Sequence, residues 1–94
     1  MNRAAIIEAK LRRDFSPLRL QVDDESHRHA GHAGAPEGGQ SHFRLLIVSA
    51  AFAGKNRVER QRMVYAALAE DLASGVHALA MTTLAPEEDL AREP

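Results

Sequence analysis

Cysteine is absent from this sequence of 94 residues, so the chain alone can form neither a disulfide nor a thiolate metal site. Aromatic residues are scarce, with no tryptophan, one tyrosine and three phenylalanines, which argues against an aromatic platform for stacking bases. Neither sign of charge dominates: the formal net charge is −1, which gives no global attraction to nucleic acid or to a membrane. Any function must therefore depend on local groups of residues.

Long hydrophobic runs are also missing. The apolar residues near the start of the chain are interrupted by Glu8 and Lys10, so this stretch is typical of neither a signal peptide nor a membrane span. The length suits one domain with a thin core. We therefore expect residues 1–94 to form a single domain that is cytoplasmic and does not associate with membranes.

Two helices are predicted from apolar residues that recur about every four positions. The first covers residues 2–14, where Asn2 can cap its start and Pro17 follows its end. The second is a long helix that begins after Asn56 and continues to about Leu72. Both helices have one apolar face, which indicates that they pack against a sheet.

Three strands are predicted, over residues 18–23, 42–49 and 76–84. The first alternates apolar and polar residues, whereas the run at 45–48 in the second is apolar on both faces, as in a central strand. The first two strands are expected to be antiparallel, and the helical crossover makes the third parallel to the second. The predicted fold class is α/β (α+β), in the order α-β-β-α-β, with a three-stranded mixed sheet that has its helices on one face.

Residues 26–41 are predicted to form a long loop because they contain four glycines and a proline. Three histidines in this loop, His27, His29 and His32, form the pattern H-x-H-x-x-H. Imidazole is the commonest metal ligand in proteins, and the glycines would allow two or more rings to converge. The alternative is a solvated, histidine-rich loop, because a loop lacks the rigid frame that fixes metal geometry.

Two further histidines lie next to predicted strands. His77 follows the helix-ending Gly75, where it can either bind a ligand or hydrogen-bond a carbonyl at the strand edge. His42 opens the second strand beside Phe43, and we expect it to have a structural role at the base of the loop. The spacing alone does not decide whether His77 binds a ligand or has a structural role.

Four basic residues, Lys55, Arg57, Arg60 and Arg62, surround the start of the long helix, with only Glu59 against them. A basic helix start can bind phosphates through charge and free amides together. Basic side chains at that position also oppose the helix dipole, so a solvated surface is the alternative. The pattern leaves both interpretations open.

The residues from 86 to 94 form a short acidic tail, for which we expect about one helical turn after Pro86. The sequence contains no nucleophile elbow and no glycine-rich phosphate-binding loop. We therefore expect that the chain is not an enzyme.

Three stretches, taken together, resemble proteins of the BolA family. They are DESH at 24–27 with GHAG at 31–34, SHF at 41–43 leading into IVS at 47–49, and FAGK at 52–55 followed by RQRMVY at 60–65 and VHAL at 76–79. Their order and spacing over residues 5–88 make the resemblance specific. The family usually has Arg-His-Arg where this chain has Arg60-Gln61-Arg62, which removes one titratable group. The fold that the resemblance implies, a three-stranded mixed sheet similar to a type II KH domain, agrees with the predicted order.

The resemblance implies an adaptor that binds a monothiol glutaredoxin and shares a bridging [2Fe–2S] cluster with that protein and with glutathione. The strand histidine of the family corresponds to His77, and the second ligand comes from the loop, where it corresponds to His29, with His32 and His27 as alternates. Two imidazoles on one iron raise the reduction potential of a cluster and make it sensitive to pH. We expect no cofactor in the isolated chain, which would be a monomer or a weak homodimer.

The alternative that the resemblance implies is a DNA-binding transcriptional regulator, because some members of the family are described in this way. In that case Lys55, Arg57, Arg60 and Arg62 would contact the nucleic acid. The near-neutral charge and the scarcity of aromatic residues argue against it.

Overall fold

A computed structural model of the chain describes residues 2–25 and 42–92, and in these ranges it contains one sheet and four α-helices. The helices are α1 (Arg3–Phe15), α2 (Arg57–Ala67), α3 (Ala69–Ser74) and α4 (Pro86–Arg92), and the strands are β1 (Arg19–Asp24), β2 (His42–Val48) and β3 (Ala78–Leu84). The strand β2 is central, antiparallel to β1 and parallel to β3. The predicted fold class and sheet topology are confirmed. The predicted loop at 26–41 lies outside the described residues.

The start and end of α1 follow from its flanking residues. The Asn2 side chain accepts a hydrogen bond from the amide of Ala5, with 2.8 Å between Oδ1 and N, so the predicted cap is confirmed. At the other end Ser16 adopts a left-handed conformation (φ 45°), and its amide still bonds to the carbonyl of Arg12. Proline at position 17 then prevents the helix from continuing.

The core lies between the helices and one face of the sheet. Alternate residues of β2 point into it, while Arg44 and the half-buried Leu46 belong to the opposite face. Burial of one such large apolar side chain stabilises a fold by roughly 1.5–3 kcal/mol. The core cluster comprises Ile7, Leu11, Phe15, Phe43, Leu45, Ile47, Phe52, Val64, Leu68 and Val76.

The long helix that the sequence predicts over 56–72 is interrupted in the structure. The helical dihedral angles are lost at Leu68 (φ −108°, ψ 20°), which separates α2 from α3. Leu68 is only 1% exposed, and its side chain packs in the core. The prediction of one continuous helix is wrong because tertiary packing, not a glycine or proline, sets the break.

Two other boundaries differ from the sequence-based expectation. The strand β3 begins at Ala78 and not at Val76, because the amide of Val76 bonds to the carbonyl of Asp71 and not to β2. The acidic tail forms the seven-residue helix α4, longer than the single turn that was predicted. Within the described residues, no helix combines the length and apolar character needed to cross a bilayer.

Candidate functional site

His77 lies between the end of α3 and the start of β3, with its side chain exposed to solvent. The residue before it, Val76, is 5% exposed and packs in the core. The residue after it, Ala78, pairs with His42 in the parallel register of β2 and β3. An exposed imidazole is therefore carried on backbone that is fixed on both sides.

The turn that leads to His77 is held by α3. The carbonyl of Asp71 accepts the amide of Val76 at 3.0 Å, and Gly75 between them has φ 144°, a conformation that other residues rarely adopt. A Cβ atom at position 75 would also lie 3.1 Å from the guanidinium of Arg3. Glycine is therefore required at the turn that positions His77.

The same aspartate connects this turn to α1. Its carboxylate is nearly buried and receives the ammonium group of Lys10, with 2.8 Å between Nζ and Oδ2. The guanidinium of Arg3 lies 3.9 Å from the other carboxylate oxygen and donates to the hydroxyl of Ser74. These contacts fix the end of α3, and with it the approach of the chain to His77.

The register of the sheet brings a second imidazole close to His77. The ring centroids of His42 and His77 are 6.3 Å apart, with 50° between the ring planes. The two imidazoles are therefore neighbours in space, and imidazole is the commonest metal ligand in proteins. The sequence suggested only a structural role for His42, because the proximity depends on a parallel pairing that sequence spacing does not reveal.

The residues that flank positions 26–41, Glu25 and His42, are hydrogen-bonded to each other. The amide of Glu25, the last described residue before the segment, donates to the carbonyl of His42 at 2.8 Å. The carboxylate of Glu25 also binds Arg44, with 3.0 Å between Oε2 and Nε. His27, His29 and His32, the predicted loop histidines, lie outside the described ranges.

The donor set at this end of the sheet is composed of imidazoles. Among residues 2–25 and 42–92, no group of three or more histidine, cysteine and acidic side chains is arranged to hold a metal ion. The sequence has no cysteine to supply thiolates. Among the described residues, His77 and His42 are therefore the imidazoles at this end of the sheet, and a metal ion bound there would need further ligands.

Arg60 is largely buried, unlike the other members of the predicted basic cluster. Its guanidinium donates to the carbonyls of Lys55 and Thr83, at 2.9 and 3.0 Å, and to Glu88, with 2.7 Å between Nη1 and Oε1. It also lies over the ring of Phe52, 6.0 Å from the centroid. With only 11% of its side chain exposed, Arg60 joins α2, β3 and α4.

The other basic residues of the cluster remain accessible. Lys55, Arg57 and Arg62 are exposed, and their side chains form no ion pair within the described part of the chain. The start of α2 is closed by a capping box, in which Asn56 and Glu59 each accept from the other's amide at 2.8 Å. The capping box occupies the amides of Asn56 and Glu59, so the exposed charges of Lys55, Arg57 and Arg62 are the main groups that this region offers to an anion.

A groove of about 440 Å³ lies between the start of α2 and the last residues of β3. Lys55, Arg57 and Gln61 line the helical wall, and Met81, Thr83 and Leu84 are among the residues that line the strand wall. Arg60 and Glu88 also line the groove. The histidine pair and this groove are found at opposite ends of β3.

Comparisons with known proteins agree with both the fold and the sequence motifs. A family model described as "BolA-like protein" matches residues 11–88. The chain is 43% identical to SufE-like protein 1 of Arabidopsis thaliana over 91 residues, and 46% identical to the DNA-binding transcriptional regulator BolA of Escherichia coli (strain K12) over 82 residues. These matches cover 93% and 87% of this chain, but only 24% and 74% of the respective relatives.

Solved structures give the same result. BolA1 from Arabidopsis thaliana superposes with a TM-score of 0.83 at 41% identity, and the match covers 94% of this chain and 96% of that one. The similarity therefore includes both the sheet and the helices around it. The chain belongs to the BolA-like family.

Proposed function

We propose that this chain is a non-enzymatic adaptor that binds a monothiol glutaredoxin and supplies histidines to a [2Fe–2S] cluster held between the two proteins. The observation that carries the proposal is the position of His77, which is exposed on a backbone fixed by the core on one side and by the sheet on the other. A ligand held in this way keeps its orientation before the partner arrives, which lowers the cost of binding.

The second ligand comes from the segment that begins and ends beside His77. His29 corresponds to the loop ligand that the family resemblance implies, with His32 and His27 as alternates. Glu25 and His42, which flank that segment in the sequence, are bonded to each other, and His42 lies beside His77, which supports this assignment. His42 is a further candidate because its ring already lies near that of His77.

When bound, the cluster would supply an iron with mixed imidazole and thiolate coordination. The chain's own contribution is two neutral imidazoles, while the thiolates come from the glutaredoxin and from glutathione. Because protons compete with iron for imidazole nitrogen, we expect the complex to loosen as the solution becomes acidic. The cluster would not be retained by this chain in isolation, because the chain has no thiolate of its own.

Spectroscopy of the mixed proteins tests the proposal. Adding the chain to a cluster-loaded monothiol glutaredoxin should change the visible absorption and circular dichroism, because the ligands of one iron change. The His77→Ala variant should leave the spectrum of the glutaredoxin unchanged, whereas His29→Ala should weaken the mixed species with partial rescue by His32 or His27. Histidine-coordinated iron in the His77→Ala mixture would disprove the assignment of His77, and an unchanged spectrum with the native chain would disprove the adaptor function.

A second function, DNA binding, has specific support. Lys55, Arg57 and Arg62 are exposed basic residues at and near the start of α2, and one relative is named a DNA-binding transcriptional regulator. Because Arg60 is held by Thr83 and Glu88, its replacement would test folding and not DNA contact. Replacing Arg57 and Arg62 by alanine should instead weaken DNA binding for all sequences and lower the salt dependence by ~1–2 units of slope. Binding that both substitutions leave unchanged would exclude this surface.

A further inference from the structure

We propose that the groove between α2 and β3 binds an extended acidic peptide, which adds to the sheet as a fourth strand beside β3. This interaction is separate from the cluster function, because the groove and His77 lie at opposite ends of β3. Three residues of β3, at positions 78–80, lie between His77 and Met81, the nearest strand residue of the groove, which puts roughly 13 Å between the two at the usual rise per strand residue. The proposal rests on the strand edge, on the charge of the facing wall and on the shape between them.

Along β3, every second residue has its backbone amide and carbonyl directed away from β2, towards the open edge of the sheet. The carbonyl of Leu84 accepts from Ser49, towards β2, whereas the carbonyl of Thr83 accepts from Arg60, on the outer side. Because these directions alternate along a strand, the amides and carbonyls of Leu79 and Met81 also point outwards. In the described part of the chain, β3 is an edge strand and these outward groups meet no other backbone.

The composition of this edge differs from that of the opposite edge. The outer strand β1 carries Arg19, Asp23 and Asp24, charges of the kind that discourage pairing with another strand. The sequence of β3, ALAMTTL, has no charged residue and no proline. The charges on β1 therefore disfavour pairing with an additional strand, whereas the edge of β3 carries no such charges.

The wall that faces this edge selects the charge of the incoming strand. Lys55 and Arg57 line the groove, are exposed and have no ion-pair partner among the described residues. The one carboxylate in the lining, Glu88, is already paired with Arg60. A peptide with acidic side chains at alternate positions would place them against these two cations while its backbone pairs with Leu79 and Met81.

The same observations favour a peptide over single-stranded nucleic acid. Both ligands are negatively charged, but nucleic acid bound as single strands usually stacks its bases on aromatic side chains. None of the described residues that line the groove is aromatic. The outward amide and carbonyl pairs of the strand edge, in contrast, match the hydrogen-bonding pattern of a peptide backbone.

Titration of the full chain with a short capped peptide of alternating glutamate and valine tests the proposal. Binding should shift the amide resonances of Leu79 and Met81 and slow their hydrogen exchange. The Arg57→Glu variant should bind roughly three- to tenfold more weakly, as expected for reversal of one charge at a polar interface. Arg62→Glu is the matched control, because Arg62 is exposed on the same helix but does not line the groove, and should change affinity by less than about twofold.

Modified probes decide the mode and the class of ligand. The same peptide with alternate amides N-methylated cannot pair with a strand edge, so equal binding of that peptide would overturn the proposal. Failure of the unmodified peptide to bind would overturn it as well. An oligothymidylate that binds where the peptide does not, and that depends on Arg62 as much as on Arg57, would assign the surface to nucleic acid instead.

Discussion

The two ends of the parallel strand pair β2 and β3 use their polar residues in opposite ways. Where the strands begin, His77 is exposed and lies near His42, whose carbonyl accepts the amide of Glu25. Where the strands end, the polar groups bond to one another: Ser49 donates to the carbonyl of Phe15 at 2.6 Å and accepts from Ala51 at 3.1 Å. One end presents exposed imidazoles, whereas the Ser49 side chain at the other end bonds to backbone groups of the chain itself.

The comparison shows that exposure of a functional side chain does not require a loose backbone. His77 is presented by a turn in which Val76 bonds to Asp71, and the carboxylate of Asp71 bonds to Lys10 on α1. The ion pair that fixes this turn is nearly buried, although the imidazole is not. The support of the turn can therefore be altered separately from the imidazole that the turn presents, and substitutions at Asp71 and His77 can measure the difference.

The largest loss of stability is expected when the support behind His77 is removed. Asp71→Ala leaves the Lys10 ammonium without its 2.8 Å partner, and the side chains are only 6% and 19% exposed. We expect the free energy of unfolding to fall by about 2–3 kcal/mol. Breaking a fully buried ion pair costs ~3–5 kcal/mol, and the loss here is smaller because Lys10 keeps some contact with water. Urea unfolding measures the change.

The neighbouring residue gives a matched control for that experiment. Glu70 lies 3.9 Å from the same ammonium group, but its side chain is 94% exposed. Glu70→Ala should therefore change stability by less than about 0.5 kcal/mol. Equal effects of the two substitutions would show that burial of the Asp71 carboxylate does not hold the turn.

A somewhat smaller loss is expected at the opposite end. Arg60→Met keeps much of the packing over Phe52 but removes the donors to Lys55, Thr83 and Glu88. We expect a loss of about 1–2 kcal/mol in urea unfolding, since the acceptors can regain water. Arg62→Met, at an exposed position with no ion pair in the described ranges, should cost less than about 0.5 kcal/mol. If both variants are equally stable, the Arg60 network does not stabilise the fold.

The sequence was sufficient to predict the sheet because its hydrophobic pattern is unambiguous. The two-sided apolar run at 45–48 placed β2 at the centre, and the helical crossover required β3 to be parallel to it. The break at Leu68 could not be predicted in this way, because no helix-breaking residue lies there and burial of the side chain decides it.

The candidate site was predicted only in part. His77 could be identified from the family motif, but its proximity to His42 depends on the register that pairs His42 with Ala78. The sequence groups Arg60 with the exposed basic residues. It cannot show that Arg60 contacts Glu88, which lies 28 positions later in another helix. The loop assignments to His29, His32 and His27 remain predictions, since these residues lie outside the described ranges.

The next prediction concerns how the stability of the fold depends on pH through Glu88, near the end of β3. Hydrogen bonds from the amide of Ala85 and from Arg60 hold the pKa of Glu88 below the usual value of a glutamate. A lowered pKa in the folded state means that the stabilisation is complete above the ordinary glutamate pKa of ~4.3 and is lost as the pH falls through the folded value. Wild type should thus be more stable than Glu88→Gln at neutral pH. The difference in stability should shrink as the pH falls through the lowered pKa of Glu88 in the folded protein.

Unfolding midpoints measured across the acidic range test this expectation. Glu87→Gln serves as the control, because Glu87 lies on the same turn of α4 but its side chain accepts no hydrogen bond from the described residues. That variant should keep the acid dependence of the wild type. A stability difference between wild type and Glu88→Gln that does not narrow in acid would contradict the role of the Glu88 carboxylate.

The smallest effect on stability is expected where the effect on the proposed function is greatest. The His77 side chain is exposed, and the backbone on both sides is held by Val76 and Ala78, so truncation to alanine removes no core packing. We expect the free energy of unfolding of His77→Ala to stay within about 0.5 kcal/mol of wild type. Urea unfolding of this variant, together with its spectrum in the mixture with a cluster-loaded glutaredoxin, separates the two roles. A folded His77→Ala protein that no longer alters the glutaredoxin spectrum would identify the imidazole as a ligand, whereas a loss comparable to that of Asp71→Ala would mean that His77 supports the turn itself.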